Sequence, residues 1–390
     1  MQTLRKKFLL LLNRTTTEYV RNFHDTISWN NRLIAIVGAR GIGKTTMVLQ
    51  HIKLHEDVKT SLFVYADDIW FSSHTLYDLA SQFYTEGGKT LFIDEIHKYK
   101  NWSQEIKNIY DSIPDLRVCY TGSSVLDLYR GSHDLSRRLV EYKMYGLSFR
   151  EFLAIKYGIT IPIHTLEQVL SNNIEFPFAE YRPVALYKEY IKEGYYPYFT
   201  EDDYYLRLNN VINTVIELDI PRFAELSVTM TEKLKTLLYI IAQSVPFKPN
   251  FSKIGRDLDI HRNSVSDLVV WLEKAGLINI LRDETQGIQL LGKVNKVYLN
   301  NPNISYVLSD NDPDIGNIRE TIFLAWIKPL YHVTSSSVAD FKVNEYTFEV
   351  GGRKKGQHQI KGVANAYVVK DDIEYGYLNE IPLWAFGLLY

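Results

Sequence analysis

Three groups of residues in this chain have the types and spacing to do chemistry on a phosphate ester. The first is Gly38-Ala39-Arg40-Gly41-Ile42-Gly43-Lys44-Thr45, a glycine, four residues, then Gly-Lys-Thr, which is the form of a phosphate-binding loop. Its glycines let the backbone curl so that successive N–H groups face phosphate oxygens. In such a loop Lys44 reaches the β- and γ-phosphates and the Thr45 hydroxyl holds Mg²⁺. The expected nucleotide contacts therefore run from Gly38 through Thr46, with ATP and Mg²⁺ as cofactors.

The second group ends the run Lys89-Thr90-Leu91-Phe92-Ile93-Asp94-Glu95, where an apolar strand delivers two carboxylates at its carboxyl edge. That edge is where ligands bind in open α/β sheets. Asp94 suits the Mg²⁺ shell, shared with Thr45, and Glu95 suits a general base that polarises the attacking water. The third group follows Leu116-Arg117-Val118-Cys119-Tyr120-Thr121 as Gly122-Ser123-Ser124. Ser123 is placed to touch the γ-phosphate or the attacking water, a role called sensor 1 in related ATPases; the same residues equally suit the cap of a helix at 125–129. Arg137 and Arg138 come next. A guanidinium stabilises charge on a transferred phosphoryl group, in its own subunit or a neighbour's. Adjacent helical arginines point apart, so one at most does so; Arg138 is the candidate, and a plain surface pair is the alternative.

The elements that must position these groups are legible. Leu33 to Val37 is a continuous apolar run, as in a buried parallel strand, and the loop opens into a helical pattern from Thr46 to Ile52. Strands are expected at 32–37, 61–66, 89–94, 116–121 and 141–146, alternating with helices, hence a parallel sheet with helices on both faces. Glu95 directly after Asp94, and no Asn-Lys-x-Asp base-reading motif, favour an ATPase over a GTPase.

Bulk properties bound the rest. A chain of 390 residues is long for one core, and 46 % hydrophobic with 23 % charged residues is an ordinary globular balance. The net charge of −2 means that any nucleic-acid contact needs a local patch. The lone Cys119 excludes an intramolecular disulfide and a Cys-rich zinc site. The histidines show no metal-ligand spacing, and His51 and His55, four apart after the loop, are read as surface residues. No signal-peptide core or membrane span is evident, so a cytoplasmic protein is expected.

The stretches Gly38 to Thr46, Phe92-Ile93-Asp94-Glu95-Ile96-His97-Lys98, Tyr120-Thr121-Gly122-Ser123-Ser124 and Leu147-Ser148-Phe149-Arg150-Glu151-Phe152 resemble a group of prokaryotic AAA+-type ATPases. Leu147 to Phe152 matches the turn that closes the ATPase core in that group, and Glu193-Gly194-Tyr195-Tyr196-Pro197-Tyr198-Phe199 resembles its helical-lid signature. The resemblance implies ATP hydrolysis, assembly into a homo-oligomer, and a C-terminal region of restriction-endonuclease-like type.

Residues 150–230 read as helices broken by prolines, including a long one at 204–220. From Thr231 a helix at 233–244, a second beginning at Phe251, a third capped by Asn263 or Ser264 and ended by Gly276, and a hairpin from Leu277 toward Leu299 spell a winged helix. Its third helix offers His261, Arg262, Asn263, Ser264 and Ser266 to DNA, but also Asp267 and Glu273, which repel phosphates. DNA contact and protein docking are both open. In the C-terminal part, Glu320, Asp340 and Glu349 are spaced like the Mg²⁺ ligands of a nuclease frame, yet Gly351 stands where that frame has lysine. A degenerate domain is therefore favoured, with Arg353, Lys354, Lys355 and Lys361 as a basic loop for phosphates. The expected fold is α/β: a P-loop NTPase core with a five-stranded parallel sheet (1–149), a helical lid (150–230), a winged helix (231–300) and a small α/β nuclease-like domain (301–390). The expected function is Mg²⁺-dependent ATP hydrolysis coupled to conformational change on double-stranded DNA or a protein partner; a slow ATP-gated DNA-binding module and an ATP-regulated nuclease are the alternatives. No membrane partner is expected.

Overall fold

The computed structural model describes residues 1–122, 135, 137–244, 246–283, 294–309 and 312–390. The chain divides into two compact units, Met1–Gly146 and Leu147–Tyr390.

The first unit begins with helix α1 (Gln2–Arg14), which buries Leu4, Phe8 and Leu12 along one stripe. Strands β1 (Leu33–Val37), β2 (Ser61–Tyr65), β3 (Thr90–Asp94), β4 (Arg117–Gly122) and β5 (Val140–Lys143) then alternate with helices α2 (Lys44–His55), α3 (Leu76–Thr85) and α4 (Trp102–Ser112). All the strands pair in parallel, in the order β2-β3-β4-β1-β5. Every residue of β1 and β3 is buried, which is why both read as unbroken apolar runs rather than alternating ones. The chain leaves β1 for the far edge at β2 and returns through β3 and β4. The carboxyl ends of β3, β4 and β1 therefore lie side by side, and the loop from β1 into α2 joins them there. This is a P-loop NTPase core. The expected strands are matched to within a residue or two, except that β5 ends at Lys143 instead of Gly146.

In the second unit the closing turn folds as a capping box: Ser148 accepts from the Glu151 N–H and Glu151 accepts from the Ser148 N–H. This turn and the lid signature, far apart in sequence, are stapled together. Leu147 N–H donates to Tyr195 O at 2.8 Å, and the Tyr190 hydroxyl donates to Leu147 O at 2.6 Å. Gly194 is required there, since a Cβ would lie 2.3 Å from the Tyr190 ring and 2.9 Å from Phe152. The helix expected at 204–220 runs as Tyr204–Thr214, a π-helical turn Val215–Asp219, and Ile220–Ala224. The widened turn precedes Pro221, which has no N–H to give the helix.

Helices Val228–Gln243, Phe251–Asp257 and Arg262–Lys274 are followed by an antiparallel pair, β6 (Ile278–Arg282) and β7 (Val294–Leu299), with Phe247 bridging to Val297. The third of these helices is capped by the His261 ring, which accepts from Asn263 N–H, not by Asn263 or Ser264. Its C-terminal Gly276, at φ +76°, ends it as expected. Gly255 permits the tight second turn, because a Cβ there would meet Ile260 O at 2.7 Å. A helix Ile315–Ile327 then packs on a second sheet of order β12-β11-β10-β9-β8, formed by β8 (Val333–Ser335), β9 (Phe341–Val343), β10 (Tyr346–Gly351), β11 (Ala366–Lys370) and β12 (Glu380–Pro382). β8, β9 and β10 pair antiparallel, whereas β10, β11 and β12 pair in parallel.

One buried amide holds much of this unit. Asn303, fully buried, accepts from Tyr195 N–H and the Tyr204 hydroxyl and donates to Tyr190 O and Ile191 O. Replacing it by leucine removes four buried hydrogen bonds. Asn303→Leu is expected to lower unfolding free energy by about 3 kcal/mol, measured by urea denaturation.

Candidate nucleotide site and associated surfaces

The phosphate loop takes its shape from its glycines. Gly41 and Gly43 have φ of +84° and +95°, in the left-handed region. Gly38 is needed for closeness instead, since a Cβ there would lie 2.4 Å from Met144 O. Gly43 caps α2 with no side-chain hydrogen bond, which leaves the first N–H groups of a twelve-residue helix available to an anion. Lys44 is buried, and its ammonium donates to Gly38 O at 2.9 Å and Ala39 O at 2.8 Å. The loop is braced from outside by Arg21. This buried guanidinium donates to Ile42 O (3.2 Å), Tyr145 O (2.7 Å) and Gly146 O (2.8 Å).

Asp94 is 1 % exposed and is held by two hydroxyls. Thr45 Oγ1 donates to its Oδ2 at 2.8 Å, and Thr121 Oγ1 donates to its Oδ1. Burial pushes the Asp94 carboxyl above its usual range, against the two hydroxyl bonds; the neighbouring Glu95 carboxylate adds to the rise and Lys44 opposes it. A carboxylate and a threonine hydroxyl in contact form an all-oxygen donor set suited to a hard divalent cation such as Mg²⁺. Glu95 sits beside them in the left-handed region at φ +55°. Its N–H donates to Thr121 Oγ1 at 3.2 Å, and its carboxylate lies 3.4 Å from Lys98 Nζ and 3.8 Å from His97 Nε2. Lys98 also binds Asp67 at 2.7 Å. Burial would lower the Lys98 pKa, but the Asp67 and Glu95 carboxylates outweigh it and raise it.

Thr45, Asp94, Glu95 and Lys44 thus gather as the sequence implied. Thr121 and Arg21 join them without a motif of their own: Thr121 is the last hydroxyl before Gly122-Ser123-Ser124, and Arg21 precedes the first strand with no pattern around it. Ser123 lies outside the described residues. Arg138 forms a bidentate pair with Asp111, at 2.9 and 3.1 Å, near the Tyr110 ring. Asp111 closes α4 just before β4 starts, so Arg138 stands by the amino edge of the sheet, opposite the loop. Arg137 is exposed.

Two further regions hold charged residues that the sequence marks as candidates. On helix Arg262–Lys274, Glu273 does not repel ligands as the sequence suggested. It is bonded to Lys328 (3.0 Å), Arg282 (3.3 Å) and Ile280 N–H (3.2 Å). Burial alone would raise its pKa, but the two cations pull it below the usual range. His261, Arg262, Asn263 and Asp267 remain exposed.

In the C-terminal sheet, Lys296 from β7 lies between Glu320 (3.5 Å) and Asp340 (3.3 Å), and the Tyr298 hydroxyl donates to Glu320 at 2.7 Å. Among the described residues Glu320, Asp340 and Glu349 do not form a three-ligand cluster. Lys355 crosses the space over Gly351, with side-chain carbons 2.7 to 2.8 Å from where a Cβ would lie, and its ammonium pairs with Glu349. Arg353, Lys354 and Lys361 are exposed, whereas Lys355 is not free in this basic loop.

Residues 30–153 match a family described as an AAA domain, and residues 184–314 match a domain of unknown function (DUF8612). The first match supports ATP binding and hydrolysis. An uncharacterized protein of Methanocaldococcus jannaschii, MJ1637, is 27 % identical over 287 residues, which is 69 % of this chain and 59 % of that protein. The chain thus spans well under two thirds of that relative's length. Solved structures show weak similarity. The Saccharomyces cerevisiae Hsp104–ADP complex has a TM-score of 0.30 at 17 % identity, over 66 % of this chain and 39 % of that one. AMPPCP-bound DnaA from Aquifex aeolicus has 0.27 at 15 %, over 67 % of this chain and 88 % of that one. Such scores carry no assignment. No helix among the described residues is long and apolar enough to cross a membrane.

The lysine between Glu320 and Asp340 yields a pH prediction. Burial first, then the Asp340 charge, raises the Glu320 pKa above 4.5, and Lys296 opposes this. A carboxyl whose folded pKa is raised favours folding below its unfolded pKa and loses that contribution as pH rises through the folded value. Lys296→Met leaves two half-buried carboxylates unopposed. The variant is expected to lose about 3 kcal/mol at pH 8, with the deficit shrinking toward pH 4.5, followed by thermal melts across that range.

Proposed function

We propose that this chain is an Mg²⁺-dependent ATPase whose nucleotide state acts on double-stranded DNA through a winged helix. The observation that carries the first half is the Thr45–Asp94–Thr121 network with Glu95 beside it, at the carboxyl edge of the sheet and next to a phosphate loop. Lys44 exchanges its bonds to Gly38 O and Ala39 O for the β- and γ-phosphates. Thr45 and Asp94 would hold Mg²⁺, which when bound would supply charge neutralisation at the phosphates. Glu95, drawn from Lys98, orients a water and accepts its proton as the water oxygen bonds to the γ-phosphorus and ADP departs. Ser123, which lies outside the described residues, keeps the role of touching that water only as an expectation from its sequence position, and Arg138, directed away from its own loop, is assigned to the site of a neighbouring copy in a homo-oligomer.

The second half rests on the engagement of Glu273 by Lys328 and Arg282, which removes one of two carboxylates that argued against DNA. The exposed start of that helix then presents His261, Arg262 and Asn263 as a recognition surface. The exposed Arg353, Lys354 and Lys361 add phosphate contacts. Protein docking is the second reading, favoured by Asp267 on the same face. A nuclease role has least support, because an ammonium lies where two of the three carboxylates would share a cation.

Phosphate release by wild type, Lys44→Ala and Glu95→Gln, with and without duplex DNA, tests this. Lys44→Ala is expected to lose nucleotide binding. Glu95→Gln is expected to keep binding while turnover falls roughly 10²- to 10⁴-fold. Stimulation of wild type by DNA, abolished in Arg262→Ala/Asn263→Ala, is the expected mark of coupling. Unstimulated turnover would favour a protein target, and binding without turnover in wild type would overturn the ATPase.

A further inference from the structure

The most chemically specific cluster outside the nucleotide site lies in the first unit, at the end of α2 away from the loop. Contrary to the surface position expected from sequence, His51 is 4 % exposed, its ring stacked on the Trp29 indole at 3.6 Å and 9° between planes. His24, from the short helix Asn22–Thr26, meets it: His24 Nε2 and His51 Nδ1 are 3.0 Å apart. His55, one turn on and exposed, stacks on His24 with ring centroids 5.1 Å apart. One ligand nitrogen from each of His24, His51 and His55 lies within 4.8 Å of the others.

The outer nitrogens decide what the inner ones can do. His24 Nδ1 is 3.0 Å from Asp25 Oδ1, and His51 Nε2 faces Glu56 Oε1 at 3.7 Å with no hydrogen-bond partner of its own. Neutral imidazole carries one N–H. If each N–H sits on the nitrogen that faces a carboxylate, two lone pairs point at one another across 3.0 Å. That arrangement needs a cation between them. A carboxylate behind each ring is also how metal-bound histidines are oriented. Tetrahedral Zn–N bonds of about 2.05 Å put ligand nitrogens roughly 3.3 Å apart, so the pair has only to open by a few tenths of an ångström.

We propose that His24, His51 and His55 form a binding site for a divalent transition metal of the Zn²⁺ type, three imidazoles with the remaining position open to water beside His55. Imidazole donors select such ions over Mg²⁺, so the site is distinct in chemistry from the all-oxygen set at Thr45 and Asp94. The metal clips the Asn22–Thr26 segment to the last turn of the helix that begins at the phosphate loop.

The test titrates the chelator-stripped full chain, without nucleotide, with Co²⁺ and then Zn²⁺. Nitrogen ligation in a near-tetrahedral site gives intense visible bands, whereas an oxygen site such as Thr45–Asp94 gives weak octahedral ones. One equivalent with intense bands, bleached by Zn²⁺, is expected. His55→Ala, an exposed change that leaves the core intact, is expected to weaken Co²⁺ binding at least about tenfold, and Asp25→Asn to weaken it less. Weak bands only, or intense bands that His55→Ala leaves unchanged, would overturn the site and leave a proton shared by His24 and His51.

Discussion

Asp94 is the residue around which the first unit is arranged. A carboxylate removed from water is costly unless charge or hydrogen bonds replace its hydration. Here the replacements come from two different elements, Thr45 at the start of α2 and Thr121 at the end of β4. Both can reach it because β4 lies between β3 and β1 in the sheet. The strand order is thus what brings one acid to two hydroxyls, and the raised Asp94 pKa marks a group not yet fully compensated. A bound cation would complete that compensation, and ligand affinity and core stability are linked through this one side chain.

In the second unit, four acids that are buried or half-buried face cations from their own chain. Lys296 serves Glu320 and Asp340, Lys355 serves Glu349, and Lys328 with Arg282 serves Glu273. Lys355 is informative because its stem fills the place where a side chain at position 351 would begin. A lysine has in effect been supplied from four residues downstream, across a position that glycine keeps open. The outcome is an internal salt network that engages Glu320, Asp340 and Glu349.

The nucleotide core was legible because its signals are local. A buried parallel strand is an apolar run, and a phosphate loop is a contiguous octet, so β1, β3, Lys44, Thr45, Asp94 and Glu95 could be read from short windows. What was not legible depends on long-range approach. Arg21 bonds to carbonyls at Tyr145 and Gly146, and Asn303 to the end of a helix more than a hundred residues earlier. Neither carries a pattern in its own neighbourhood. His51 and His55 did show the spacing of one helical face, but the third ring came from a separate segment. Glu273 read as a repulsive charge because the sequence does not reveal which face of the helix turns toward Lys328.

Lys296 and Tyr298 sit on alternate residues of β7 and both grip Glu320, on the helix that opens the C-terminal sheet. Side chains two apart on a strand share a face, so the hairpin presents a polar clamp to that helix instead of a smooth apolar surface. A clamp of this kind has no sliding coordinate: shifting β7 by one residue would turn both groups away together. The hairpin and the C-terminal sheet should therefore exchange their amide protons as one cooperative block. Within the second unit, that block resists bending between β7 and the helix Ile315–Ile327.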